Sequence, residues 1–226
     1  MARTKLADRK LPDYTRGEEI LNSSSHALGV AFGIAVLILC IVFSVKNSNP
    51  WGIAAGAIYG TMMIVLYAVS SVYHGLVPKR AKLVFQVLDH CSIYALIFGT
   101  YAPILFMGIR EYDVSLFVGI LIYVLVGIAI GVFFTAVDFK RYAPVSMSCY
   151  FVVGWSALFL IKPIISVLGA RLFIWLLIGG AAYTLGMIFF KKGITKKYYH
   201  SVFHFFILAG SVLQFVGIFK YCFIAR

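Results

Sequence analysis

Seven long apolar runs constrain what this chain can fold into. They fall at about 24–45, 51–76, 83–109, 114–137, 143–162, 168–190 and 199–222. Each is near the ~20 residues that a helix needs to cross the hydrocarbon core of a bilayer. They are too long and too uniformly apolar for barrel strands, which alternate. Inside hydrocarbon a backbone has to satisfy its own polar groups, so helices are the remaining solution. The expected fold is all-α: an integral membrane bundle of seven helices in a single domain spanning 1–226, with residues 1–23 as a polar tail. Composition agrees, because 12% of the 226 residues are charged, against about a quarter in a soluble domain.

The first run could be mistaken for a secretion signal, since a basic segment precedes it. Its apolar stretch, Ala27 to Val45, is longer than the usual signal core, and no small-residue cleavage site follows it. It reads as the first spanning helix. Short polar or Pro/Gly-bearing joints separate the runs, and no internal repeat stands out.

The net charge is +12. In a soluble protein that would suggest nucleic acid; in a membrane protein it points to basic joints beside anionic lipid, with no nucleic-acid partner. Fourteen basic residues fall on one side: Arg3, Lys5, Arg9, Lys10, Arg16, Lys79, Arg80, Lys82, Lys140, Arg141, Lys191, Lys192, Lys196 and Lys197. Six fall on the other: Lys46, Arg110, Lys162, Arg171, Lys220 and Arg226. The positive-inside rule therefore puts the N-terminus in the cytoplasm and the C-terminus outside. Cys40, Cys91, Cys149 and Cys222 lie in apolar runs without paired spacing and read as small buried hydrophobes.

Ionisable side chains inside such runs are costly and usually have a partner or a function. Here they are Glu19, His26, His74, Asp89, His90, His200 and His204, with Asn22 and Ser70 beside them. Every one falls at the start of an odd helix or the end of an even one, so all gather at the cytoplasmic end. His200 and His204 are four apart and share a helix face, as in zinc sites built on a helix. Ser70 and His74 repeat that spacing, and Glu19, Asn22 and His26 form one stripe. A catalytic zinc site wants three protein ligands and an open position for water. His74, His200 and His204 would supply the ligands, and zinc lowers the pKa of bound water toward ~7. Asp89 would hold and deprotonate that water, and Ser70 would bond the water or the substrate oxyanion.

Blander roles exist for each residue alone. The His200/His204 pair could decorate an interface. Ser70 could bond back to a helix carbonyl. Asp89 could cap the third helix or pair with Lys82. His26 and His90 fit packing or supporting positions better than ligation. Asp138, beside Lys140 and Arg141, reads as a solvated joint residue. It is the joint placement of the set on one side of four helices that argues for a site.

Glu19-x-x-Asn22-x-x-x-His26, Ser70-x-x-x-His74, Asp89 early in the next helix and His200-x-x-x-His204 in the last resemble the hemolysin III family. That family lies within the group holding the progestin and adipoQ receptors and the alkaline ceramidases. The resemblance runs from Glu18 to Phe223. It implies a seven-helix bundle in a bacterial plasma membrane, its N-terminus inside. It also implies zinc on His74, His200 and His204 near the cytoplasmic face, with Asp89 and Ser70 close to the bound water. Adiponectin-receptor relatives are associated with hydrolysis of the ceramide amide bond. The external joints of this chain are too short to seat a protein hormone, so a receptor role is not carried over.

The expected function is zinc-dependent hydrolysis of an amide or ester bond in a membrane lipid. The alternative is a non-enzymatic protein that perturbs the membrane, by haemolysis or pore formation, or helps maintain it, with structural zinc. Metal transport has less support, because no ladder of ligands continues through the external half. Substrate identity and oligomeric state stay open.

Overall fold

The fold is taken from a computed structural model that describes residue 4, residues 6–138 and residues 140–225. Of the basic residues counted above, Arg3, Lys5 and Arg226 lie outside the described residues. Among the described residues, seven helices are long and apolar enough to span a membrane: α1 Arg16–Lys46, α2 Pro50–Gly75, α3 Lys79–Tyr112, α4 Val114–Asp138, α5 Ala143–Leu168, α6 Ala170–Lys192 and α7 Tyr199–Ile224. The protein is an integral membrane protein built as an all-α bundle.

Sequential helices pack side by side, and α7 lies against both α6 and α1, which closes the ring. Helix α3 is the most enclosed span, touching α2, α4, α5 and α7. Helix α4 is the least enclosed, and Val118, Ile122, Val126, Ile130 and Phe133 face outward. An apolar stripe of that length would be a liability in water and is the natural face toward lipid. The core is filled by large side chains including Tyr59, Met63, Tyr67, Ile104 and Leu105. Cys40 and Cys222 are buried, Cys91 and Cys149 are half-buried, and all four are free thiols.

Close approach of α1 and α2 depends on glycine. A Cβ at Gly60 would run into the backbone of Leu37, and one at Gly29 would run into the ring of Tyr67. Small residues of this kind let membrane helices approach closely.

Three departures from the sequence expectation have local causes. Helix α1 starts at Arg16, not near 24, because Thr15 and Glu18 form a capping box. The Thr15 hydroxyl accepts from the Glu18 amide, and the Glu18 carboxylate accepts from the Thr15 amide at 2.9 Å. Residues 16–23 are therefore helix rather than tail. Helix α5 continues through Pro163 to Leu168, and only Gly169, at φ 87°, breaks it from α6. The chain tightens into a 3₁₀ stretch over Ser156–Leu160 just before Pro163, so the missing proline N–H falls in a first turn, where it is tolerated. Asp138 is not solvated. It closes α4 at 1% exposure and accepts from the Thr4 amide at 3.0 Å and the Arg141 amide at 3.3 Å.

Candidate metal centre

The first turns of α1 and α7, the last turn of α2 and the early part of α3 meet at one end of the bundle. Glu18 joins two of these elements, since its Oε1 accepts from the Tyr198 amide at 2.6 Å at the start of α7. That contact ties the chain two residues before His200 to α1.

Each of His74, His200 and His204 is buried and presents one ring nitrogen, and these three nitrogens lie within 4.8 Å of one another. Two imidazole nitrogens on one tetrahedral zinc lie about 3.3 Å apart, so the most widely spaced pair needs to close by about 1.5 Å to share an ion. Their outward nitrogens are already committed. His74 Nδ1 donates to Glu19 Oε2 at 2.7 Å, and His204 Nδ1 lies 3.2 Å from the Asn22 carbonyl, which can only accept. A neutral ring that donates from Nδ1 presents Nε2 as a lone pair, which is the ligating tautomer. His74 Nε2 is buried without a partner. His204 Nε2 faces His200 Nε2 at 3.1 Å, an arrangement that needs a proton or a cation between two lone pairs. Hydrogen-bonded outer partners that fix tautomer and orientation are the usual support of a metal-binding histidine. The donor set fits a divalent ion such as zinc.

Glu19 also receives Lys82 Nζ on Oε1 at 2.8 Å, so Lys82 belongs to Glu19 and not to Asp89. Asn22 lies 3.4 Å from His74 Nδ1, but the proton there goes to the nearer Glu19. The Asn22 side-chain oxygen instead accepts from Ser201 Oγ at 2.6 Å. Asn22 thus braces α7 through both its side chain and its backbone.

The remaining residues of the set divide between a cavity and the packing around it. A cavity of about 180 Å³ is lined by Ser70, Asp89, His26, His90, His200 and His204 at one end and mainly by apolar side chains beyond. Ser70 Oγ has no hydrogen-bond partner, so it does not bond back to its own helix. Asp89 lies well inside α3, whose cap is Pro78. His26 stacks on His204 with ring centroids 3.7 Å apart. His90 Nδ1 donates to the Gln86 carbonyl at 2.8 Å, and its own carbonyl accepts from Tyr150.

Tyr14 is a residue that sequence reasoning missed. Its ring stacks on His200 at 4.9 Å and lies 5.7 Å from His74. Burial and the nearby Asp89, Glu19 and Glu18 carboxylates raise the phenol above its usual pKa, so it stays neutral. A second, open groove, lined by Tyr14, Arg16, Glu19, His74 and Lys82, reaches the cluster from the polar end. The histidines thus stand between a polar groove and an apolar cavity.

Residues 14–215 match the family profile described as haemolysin-III related. A "Hemolysin-3 homolog" of Bacillus subtilis (strain 168) is 34% identical, over 92% of this chain and 96% of that protein. "Hemolysin-3" of Bacillus cereus is 33% identical, over 90% and 91%. A human protein named "Monocyte to macrophage differentiation factor" is 25% identical, over 77% and 73%. The bundle, the histidine cluster and these matches place the chain in the haemolysin-III-related family.

Proposed function

We propose that the protein is a zinc-dependent hydrolase of amide or ester bonds in membrane lipids, set in a bacterial plasma membrane with its histidine cluster near the cytoplasmic face. The orientation follows the excess of basic residues on that side. The observation that carries the reading is the position of the three histidines between an apolar cavity and a polar groove. Hydrolysis of a lipid needs both an apolar approach and a supply of water.

Zinc on His74, His200 and His204 would supply Lewis acidity and water activated near neutral pH. Glu19 and the Asn22 carbonyl hold two of the imidazoles in the ligating tautomer. Asp89, on the cavity wall, takes the proton of the attacking water and returns it to the leaving amine or alcohol. The unpartnered Ser70 hydroxyl donates to the oxyanion as it develops. Tyr14 caps the site on the polar side.

A second reading is non-enzymatic membrane perturbation with structural metal, favoured by the haemolysin names of the two Bacillus relatives. Metal-loaded protein in vesicles of mixed ceramide and phospholipid, followed by lipid mass spectrometry, separates the two. The hydrolase releases free fatty acid and loses that activity in Asp89→Asn with its metal retained. Lysis of the vesicles with no cleaved lipid supports the second reading and overturns the first.

A further inference from the structure

The apolar cavity does not end at the histidines. It continues along α7 to Gln214, which is 8% exposed and sits ten residues beyond His204. Gln214 Nε2 donates to the Leu176 carbonyl on α6 at 3.4 Å. A carbonyl can only accept, so this bond fixes which way the amide is turned. It leaves Oε1 buried with no partner.

Away from the histidine end, the other polar side chains of this wall are satisfied among the described residues. Thr100 bonds to Leu96, Tyr101 to Val153 and Ser156, Trp155 to Thr184, and Tyr183 to Ser211. Beyond the histidine end, Gln214 Oε1 is the unpaired buried acceptor of the cavity wall among the described residues. Leaving an amide oxygen without a donor in hydrocarbon is costly. Room has been made for it, because a Cβ at Gly179 on α6 would collide with Gln214 Cγ. An interhelical bond alone would account for Nε2 and not for the unpaired oxygen.

We infer that Gln214 is a specificity residue that accepts a hydrogen bond from a hydroxyl carried part-way along the chain of the bound lipid. The inference rests on the reading that a lipid chain fills the cavity with its carbonyl at the histidines. Ten helical residues rise about 15 Å, the length of an extended chain of roughly a dozen carbons. The lipid class indicated is therefore one with a mid-chain hydroxylated acyl group. A hydroxyl answers the acceptor with one donor, whereas a mid-chain amide would bring a further carbonyl into the apolar wall.

The test uses detergent-purified full-length protein and displacement of a fluorescent fatty acid by stearate or by 12-hydroxystearate. Wild type is expected to bind the hydroxy acid about tenfold more tightly, equivalent to about 1.4 kcal/mol. Gln214→Leu should bind the two acids equally while keeping the affinity for stearate. If Gln214→Leu loses stearate as well, Gln214→Asn decides, since it keeps the amide but shortens its reach and should reduce the preference. Equal binding in wild type, a preference that survives in these variants, or no binding of either acid overturns the inference. Turnover is not required. A preference without hydrolysis of any lipid keeps this site and removes the hydrolase, and hydrolysis without a preference does the reverse.

Discussion

Glu19 Oε2 accepts a hydrogen bond from His74 Nδ1 at 2.7 Å, and in doing so turns the other nitrogen of that ring toward His200 and His204. The contact joins α1 to α2 and ties the orientation of His74 to a carboxylate that makes no hydrogen bond to His200 or His204. Glu19→Gln keeps an acceptor but loses the charge. Removing outer partners of this kind typically costs 10–100-fold in metal affinity. Zinc competition against a chelating dye should show a loss of that size. Unchanged affinity would mean that Glu19 serves only Lys82.

Asp89 and Ser70 line the cavity, and the Ser70 hydroxyl has no hydrogen-bond partner there. Asp89→Asn is expected to lower turnover by about 10²–10⁴, and Ser70→Ala by about 10²–10³. Metal content should be unchanged in both. A variant that loses metal together with activity would place that residue among the ligands instead.

Tyr14 covers the cluster from the polar side. The segment that carries it is tied to the end of α4 by Thr4 on Asp138 and by Arg9 Nη2 on the Val137 carbonyl at 2.8 Å. Tyr14→Ala should leave the metal content of the resting protein as it is and speed its removal by an added chelator. A stripping rate equal to wild type would show that Tyr14 does not limit access.

The spacing of α1 and α2 gives a stability test. At Gly60 an added methyl meets the backbone of Leu37, which cannot rotate aside, whereas at Gly119 it meets nothing within 4 Å. Overpacking of this kind costs about 1–3 kcal/mol. Gly60→Ala should lower the thermal unfolding midpoint in detergent, while Gly119→Ala, which adds helix propensity without a clash, should not lower it.

The spans were legible in the sequence because bilayer thickness imposes a length on apolar runs, and α2 and α4 fall close to their expected limits. The start of α1 was harder to place. Glu18, Asn22 and His26 point inward and are buried, so the polarity that resembles a tail is the inner face of a helix. Thr15-x-x-Glu18 carried a local signal for that start. Spacing alone suggested His200 with His204, but the approach of His74 depends on how α2 and α7 pack. Asp138 was misread because its partner Thr4 is 134 residues away. Tyr14 and Gln214 carry no local mark at all: one is a tyrosine in a polar segment, the other a polar residue near the end of an apolar helix. Their significance lies in neighbours that only the folded bundle supplies.

The most direct test of the account is the zinc content of detergent-purified protein, by elemental mass spectrometry, beside a His200→Ala/His204→Ala double variant. Thermal unfolding of both samples checks that the variant is folded. The account predicts about one zinc per chain in wild type and none in the folded variant. A wild-type protein purified without chelator that holds no zinc, or a double variant that keeps it, would contradict the metal centre and the hydrolytic chemistry built on it.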